Sequence, residues 1–203
     1  MNFWDQRYSQ AEFAYGKEPN EYLKSKLLDM PPGRILFPAE GEGRNAVFSA
    51  QLGWDVFAFD SSIEGKKKAE KLASENGVAI DYRVEGLEEV DYPANYFDAM
   101  ALSYTHFPEV KRRIFHQKLI AYLKNGGVLI LECFSKKHLD YQKDNPNAGG
   151  PKDESMLFDL EELKEDFKGF DFLEAYETET ELSEGLYHVG KASVVRLFGV
   201  KRA

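Results

Sequence analysis

The run Glu40-Gly41-Glu42-Gly43-Arg44-Asn45 has the composition of a ligand-holding turn. Two glycines one residue apart let a backbone turn tightly and approach a ligand without Cβ interference. Asp60 follows seventeen residues after Gly43, with Ser61 beside it. An acid at that distance can accept hydrogen bonds from both hydroxyls of a ribose. The same residues also suit a plain tight turn, with Asp60 capping a helix that starts at Ile63. His106 is one of four histidines and sits in Ser103-Tyr104-Thr105-His106-Phe107-Pro108. It is the candidate general base at neutral pH. A core or capping histidine is the competing reading.

The elements around these residues alternate. Residues 34–37 form a short apolar run, stopped by Pro38, and residues 44–52 have helical spacing up to Gly53. Strand-like runs follow at 55–59, 78–84, 96–102 and 128–134, with helical patterns at 63–75 and 109–123 between them. Strands alternating with helices at these lengths mean stacked strand–helix–strand units. Residues 170–182 and 187–201 read as an antiparallel hairpin at the sheet edge. The expected fold is α/β: a Rossmann-like, seven-stranded, mostly parallel sheet with a C-terminal antiparallel hairpin and helices on both faces. Ligands of such sheets bind outside the carboxyl ends of the strands. That brings Glu85, Gly86 and Leu87, and then Ser103 and Tyr104, to the side of the 40–45 turn. The polar stretch 136–157 is long enough for a lid or a plain mobile loop. Cys133, without an activating motif, reads as a buried thiol.

The chain has 203 residues, of which 43% are hydrophobic and 30% charged, so one domain with its own core is expected over 1–203. Residues 1–30 are an aromatic segment that could roof a site, and residues 31–203 are the core. The formal charge of −9 disfavours nucleic-acid partners. A single cysteine allows no internal disulfide, and no cluster has metal-ligand spacing. No apolar run reaches membrane-spanning length and the N-terminus lacks a signal-peptide pattern, so a cytoplasmic location without membrane partners is expected. The oligomeric state is not legible.

Gly41-Glu42-Gly43-Arg44-Asn45-Ala46 also fits a dinucleotide turn with alanine in the third glycine position. A pyrophosphate, however, prefers a neutral or positive loop. Glu40 and Glu42 put two carboxylates there, and little of the chain is left for a separate catalytic domain. S-adenosylmethionine carries no phosphate, and its sulfonium and α-amino groups are cationic. The electrostatics favour this methyl donor over NAD. An NAD-dependent oxidoreductase and a non-catalytic nucleoside-binding module remain as alternatives.

Strand, Gly-x-Gly turn, helix, Asp60 and the closing hairpin together resemble the class I S-adenosylmethionine-dependent methyltransferases. Trp4-Asp5-Gln6-Arg7-Tyr8, Phe13-Ala14-Tyr15-Gly16-Lys17-Glu18-Pro19-Asn20 and Gly41-Glu42-Gly43-Arg44-Asn45 resemble their small tellurite-resistance and thiopurine-type branch. Two positions depart from the pattern. The usual acid closing the first strand falls at Phe37, and the usual first glycine falls at Ala39. The resemblance implies methyl transfer from S-adenosylmethionine to a small-molecule acceptor such as a thiol or chalcogen compound. It implies cofactor contacts from Tyr15 and Gly16, from Glu40, Gly41, Gly43, Arg44 and Asn45 in the turn, and from Asp60 and Ser61. Further contacts come from Glu85, Gly86 and Leu87, and from Ser103 and Tyr104. His106 is the catalytic candidate. For a soft nucleophile, proximity and aim suffice, and His106 need not act as a base. Trp4 and Tyr8 are expected to pack the N-terminal segment down.

Overall fold

The computed structural model describes residues 2–203. Two short helices come first, α1 (Phe3–Tyr8) and α2 (Glu21–Leu27). The alternating part follows as β1 (Arg34–Pro38), α3 (Arg44–Gln51), β2 (Asp55–Asp60), α4 (Ile63–Glu75), β3 (Asp81–Val84), β4 (Phe97–Ser103), α5 (Glu109–Tyr122) and β5 (Leu123–Phe134). The chain closes with α6 (His138–Asp144), a 3-10 turn (Glu154–Met156), α7 (Leu160–Asp166), β6 (Phe170–Glu184) and β7 (His188–Lys201). The seven strands lie in the order β3-β2-β1-β4-β5-β7-β6. β1 to β5 pair in parallel, and β7 runs antiparallel to both β5 and β6. This is the expected fold class.

The strands are apolar on both sides because both faces are covered. Leu36, Met100 and Leu131 point to one face, under Leu119 of α5 and Leu163 of α7. Ile35, Ala99 and Ile130 point to the other, under Leu23 of α2, Ala46 of α3 and Ala69 of α4. Cys133 is buried, as expected, in the first of these cores. The strand order reverses between β1 and β4, so their carboxyl ends diverge and open a crevice at the switch point. The segments 39–45 and 103–107 both emerge there.

Several local expectations are corrected. Pro38 does not stop β1 but is its last residue, paired with Phe59. β5 starts at Leu123 and runs through Gly126-Gly127, with its register to β4 shifting between Phe97 and Ala99. β3 is shorter than expected, beginning at Asp81. Ser62, not Asp60, caps α4, accepting from Gly65 N. The 136–157 stretch is not a loose loop. It folds into α6 and the 3-10 turn, with Ala148 and Leu157 fully buried. Gly149 and Gly150 lie so close to His188 and Phe134 that a Cβ on either would collide.

Candidate functional site

The turn after β1 alternates through the left-handed region, at Ala39 (φ 52°), Gly41 (66°) and Gly43 (87°). The two glycines are required by packing more than by an open cradle. A Cβ on Gly41 would stand 2.6 Å from the Tyr8 hydroxyl, and one on Gly43 would stand 2.4 Å from the Ala69 Cβ. Gly41 thus lets α1 lie down on the turn, and Gly43 lets α3 close against α4. Tyr8 is buried, the packing role expected of it, whereas Trp4 stacks on its ring but stays exposed. The open ledge beside the turn is formed by exposed Ala39 and Ser61, with half-buried Glu85 and Gly86 next to them. Leu87 departs from its expected place. Its side chain is in the core with Val90 and Tyr92.

Two carboxylates converge under this ledge. Asp60 accepts from Gly41 N at 3.0 Å and from Ser62 N at 2.9 Å, which ties the end of β2 to the turn. Burial outweighs these hydrogen bonds and pushes its pKa up to about 6. Glu40 accepts from Asn45 N and Ala46 N at the start of α3. Burial lifts it to about 7, against the lowering pull of the Ala46 amide and Arg44. Among the described residues neither Asp60 nor Glu40 forms a salt bridge. The third acid, Glu42, is used structurally: it pairs with Lys68 at 2.7 Å and accepts from Ala14 N at 2.8 Å.

Residues 13–20 form a strap over this edge, and the turn holds it. Arg44 donates to Tyr15 O at 3.1 Å and reaches Glu184 at 2.8 Å. Asn45 accepts from Asn20 N at 2.9 Å. Leu186 N donates to Ala14 O, and Gly16 approaches Gly185 so closely that a Cβ on Gly185 would stand 2.3 Å from Gly16 N. Arg44, Asn45 and Gly16 are therefore brought to the site as strap fastenings. The Tyr15 ring lies on His188, with centroids 4.4 Å apart.

Ser103 ends β4 opposite Glu132. The chain then turns at Tyr104, a non-glycine residue with φ 52°. That conformation costs on the order of 1 kcal/mol or more and persists only where surroundings fix it. Here the Tyr104 hydroxyl donates to Glu132 at 2.8 Å, and its ring packs on Phe134 and His188. His106 lies beyond, between Phe134 (5.8 Å) and Phe158 (5.2 Å). Its Nδ1 is 2.9 Å from Met156 O. A carbonyl only accepts, so Nδ1 carries the proton and Nε2 carries a lone pair. Nε2 is sealed from solvent and has no hydrogen-bond partner among the described residues. Burial lowers the His106 pKa to about 4, so the ring is neutral at physiological pH.

Four residues that sequence reasoning passed over complete this edge: Asn20, Glu132, Glu184 and Arg196. The Asn20 amide bridges Glu132 (2.6 Å) and Glu184 (3.2 Å), and Arg196 pairs with Glu132 at 2.5 Å. One signal was available. An acid inside Leu129-Ile130-Leu131-Glu132-Cys133 and a cation inside Val194-Val195-Arg196-Leu197 both interrupt apolar strands.

A family model described as a methyltransferase domain matches residues 35–127, which run from β1 through the start of β5 and include the turn and Asp60. The match takes in a little under half of the chain. A curated relative of the chain, a ubiquinone biosynthesis O-methyltransferase from Xanthomonas euvesicatoria, is 29% identical over 119 residues. The match covers 57% of this chain and 48% of that protein, so the chain spans about half the length of that relative. In fold, the chain is similar to TehB from Haemophilus influenzae, with a TM-score of 0.73 at 15% identity over 98% of this chain and 66% of that one. It is also similar to magnesium protoporphyrin IX methyltransferase from Synechocystis, a structure with bound SAH, with a TM-score of 0.67 at 17% identity over 89% and 82% of the chains.

The donor set fits S-adenosylmethionine. Asp60 and Glu40 are two enclosed carboxylates with no cation paired to them, which suits a ligand bearing a sulfonium and an ammonium and repels a phosphate. Their raised pKa values make a sign-definite prediction. Both carboxyls hold protons to a higher pH folded than unfolded, so their contribution to stability fades as pH rises from about 4 through about 7. A cationic ligand beside them lowers both pKa values and expels a proton. Calorimetry at pH 6.5 in two buffers of different ionisation enthalpy is expected to show up to about one proton released on cofactor binding. Affinity is expected to rise with pH up to about 7.5.

Proposed function

We propose that the chain, as one domain over 1–203, moves a methyl group from S-adenosylmethionine to a small-molecule acceptor, a thiol or chalcogen compound in preference to others. The observation carrying this reading is the pair of unpaired carboxylates, Asp60 and Glu40, under an exposed ledge at the switch point of the seven-stranded sheet. When bound, S-adenosylmethionine supplies a methyl group on a positively charged sulfur, and the electron pair of the broken C–S bond stays with that sulfur. Asp60 and Ser61 would hold the ribose, Glu40 would face the cationic end, and Glu85 and Gly86 would border the base. The strap residues Tyr15 and Gly16 close the edge and keep water from the reacting atoms.

His106, its Nε2 sealed between Phe134 and Phe158, shapes the wall of the site, and proximity alone aims the nucleophile. A ring whose pKa is depressed to about 4 holds a proton poorly at pH 7. The acceptor's proton therefore passes on to solvent, and an acceptor that ionises readily is served best. This favours a thiol over an alcohol or amine, in line with the resemblance to the tellurite-resistance and thiopurine-type branch. No helix among the described residues is long and apolar enough to cross a membrane. We place the reaction in the cytoplasm.

Calorimetric titration with S-adenosylmethionine and S-adenosylhomocysteine tests the cofactor, and absence of heat at millimolar ligand would sink the reading. A fluorescence change of reduced nicotinamide on mixing would point to the oxidoreductase instead. Binding without turnover across thiols, chalcogen oxyanions, amines and phenols would leave a nucleoside-binding module.

A further inference from the structure

Among the described residues, three that are not glycine stand in the left-handed region: Ala39, Asn95 and Tyr104. Two of them flank the crevice, Ala39 after β1 and Tyr104 after β4. Backbone in that region persists only where its surroundings over-determine it. For Tyr104 the surroundings are largely one residue of β5. The Glu132 carbonyl accepts from Tyr104 N at 2.7 Å, and Glu132 Oε1 accepts from the Tyr104 hydroxyl at 2.8 Å. Both ends of the tyrosine are held by a single neighbour, and its ring is walled by Phe134 and His188. The next residue, Thr105, donates to Pro38 O at 3.2 Å and fastens the same edge to the end of β1.

The Glu132 carboxylate is buried and engaged on both oxygens. Oε1 also accepts from the Asn20 amide at 2.6 Å, and Oε2 accepts from Arg196 Nε at 2.5 Å. Such a group is costly to bury, because desolvation consumes most of what the attraction returns. Stability alone would be served as well by apolar residues of the same size. What the carboxylate adds is direction, since its oxygens fix where donors from the β4 edge, the strap and β7 must lie. The strap does not depend on it. Glu42 accepts from Ala14 N, Asn45 accepts from Asn20 N, and Arg44 donates to Tyr15 O and Glu18 O. The Tyr104 hydroxyl has no such reserve, and Glu132 is its one partner among the described residues.

We propose that Glu132 is a positioning residue for methyl transfer, holding Tyr104 in its left-handed turn so that the Ser103–Thr105 edge sets the acceptor in line with the methyl carbon. The inference rests on the methyl-transfer reading and gives a task to a residue that reading leaves unused. In the step itself the acceptor atom bonds to the methyl carbon, the C–S bond breaks, and its electron pair stays on sulfur. Glu132 takes no proton in it. It acts through Tyr104, whose packed ring passes any shift at the hydroxyl to the backbone of the edge.

The test compares Glu132→Gln, Tyr104→Phe and the double variant with the unaltered chain. Turnover is read with S-adenosylmethionine and whichever thiol, chalcogen oxyanion, amine or phenol reacts fastest, and cofactor affinity by calorimetry with S-adenosylhomocysteine. Glu132→Gln is expected to lower kcat by about 10- to 100-fold, the effect of a misplaced reacting group. The dissociation constant of S-adenosylhomocysteine is expected to stay within about threefold, because the turn and the strap keep their own bonds. Tyr104→Phe should lose a similar factor in kcat, and the double variant no more than the larger single loss, since both changes break one link. Losses that multiply overturn the proposal, as does a kcat for Glu132→Gln within about twofold of the unaltered chain. So does a loss of cofactor affinity that accounts for all the lost turnover. If Glu132→Gln does not fold, Tyr104→Phe decides, and an unchanged kcat rejects the proposal. Amide hydrogen exchange gives a readout that needs no acceptor. Both single variants are expected to exchange at least about tenfold faster at residues 103–107, with α4 and β2 unchanged. Unchanged exchange there, or faster exchange throughout the sheet, overturns the proposal. If S-adenosylhomocysteine fails to bind, the methyl-transfer reading falls alone, and the exchange pattern decides whether Glu132 holds the Tyr104 turn.

Discussion

Asp60→Asn is expected to weaken binding of S-adenosylmethionine by roughly 10- to 100-fold, about 1.4–3 kcal/mol, the range for a lost charge-assisted hydrogen bond. The carboxylate has two tasks here. One oxygen holds Gly41 N and the other holds Ser62 N. Asparagine keeps one acceptor and the size of the side chain, so the turn stays in place apart from one unsatisfied amide. The melting temperature should fall by only a few degrees. The charge is what disappears, and with it Asp60's share of the proton released on binding. Calorimetry on the variant at pH 6.5 and 8 reads both effects. An unchanged dissociation constant would remove Asp60 from the ribose.

Glu184→Ala should be among the most destabilising single changes at this edge. The Arg44–Glu184 pair is buried on both sides, with side chains 8% and 11% exposed. Burial opposes the Glu184 charge, yet His188 and Arg44 hold its pKa down to about 2. Removing one member of such a pair strands the other, at a cost of about 3 kcal/mol or more. For a chain of this size that lowers the melting temperature by roughly 6–12 °C. The double variant Arg44→Met/Glu184→Ala should recover much of the loss, since an apolar replacement of both partners is close to neutral. Thermal melts of the four proteins in this cycle make the test. A Glu184→Ala melt equal to wild type would show that the strap is fastened elsewhere.

The sequence disclosed the sheet because hydrophobic alternation is local. Ile35-Leu36-Phe37 or Leu129-Ile130-Leu131 declares a two-sided strand without reference to anything distant. It disclosed the turn and Asp60 for the same reason, since both fall within one strand–helix–strand unit. What it hid depends on long-range meetings. Gly41 is glycine because Tyr8 lies on it, and no spacing rule links residues 8 and 41. Leu87 faces the core because β3 ends three residues earlier, which turns it inward. The Asn20–Glu132–Arg196 link joins three elements far apart in the chain. The 136–157 stretch looked loose because its polar composition conceals the anchors Ala148 and Leu157.

The fastenings of the strap also bear on how the molecule assembles. Asn20 meets Glu184 across 164 positions of chain and Glu132 across 112, and Arg44 meets Glu184 across 140. Contacts of such separation reward the polypeptide only after both ends of the loop have been ordered. During refolding, the parallel strands and their helices consolidate from neighbouring segments first, and the entrance is finished last. The same entrance is the first to fray in mild denaturant, so ligand affinity will vanish at urea concentrations that leave the helical signal of the sheet and its flanks intact.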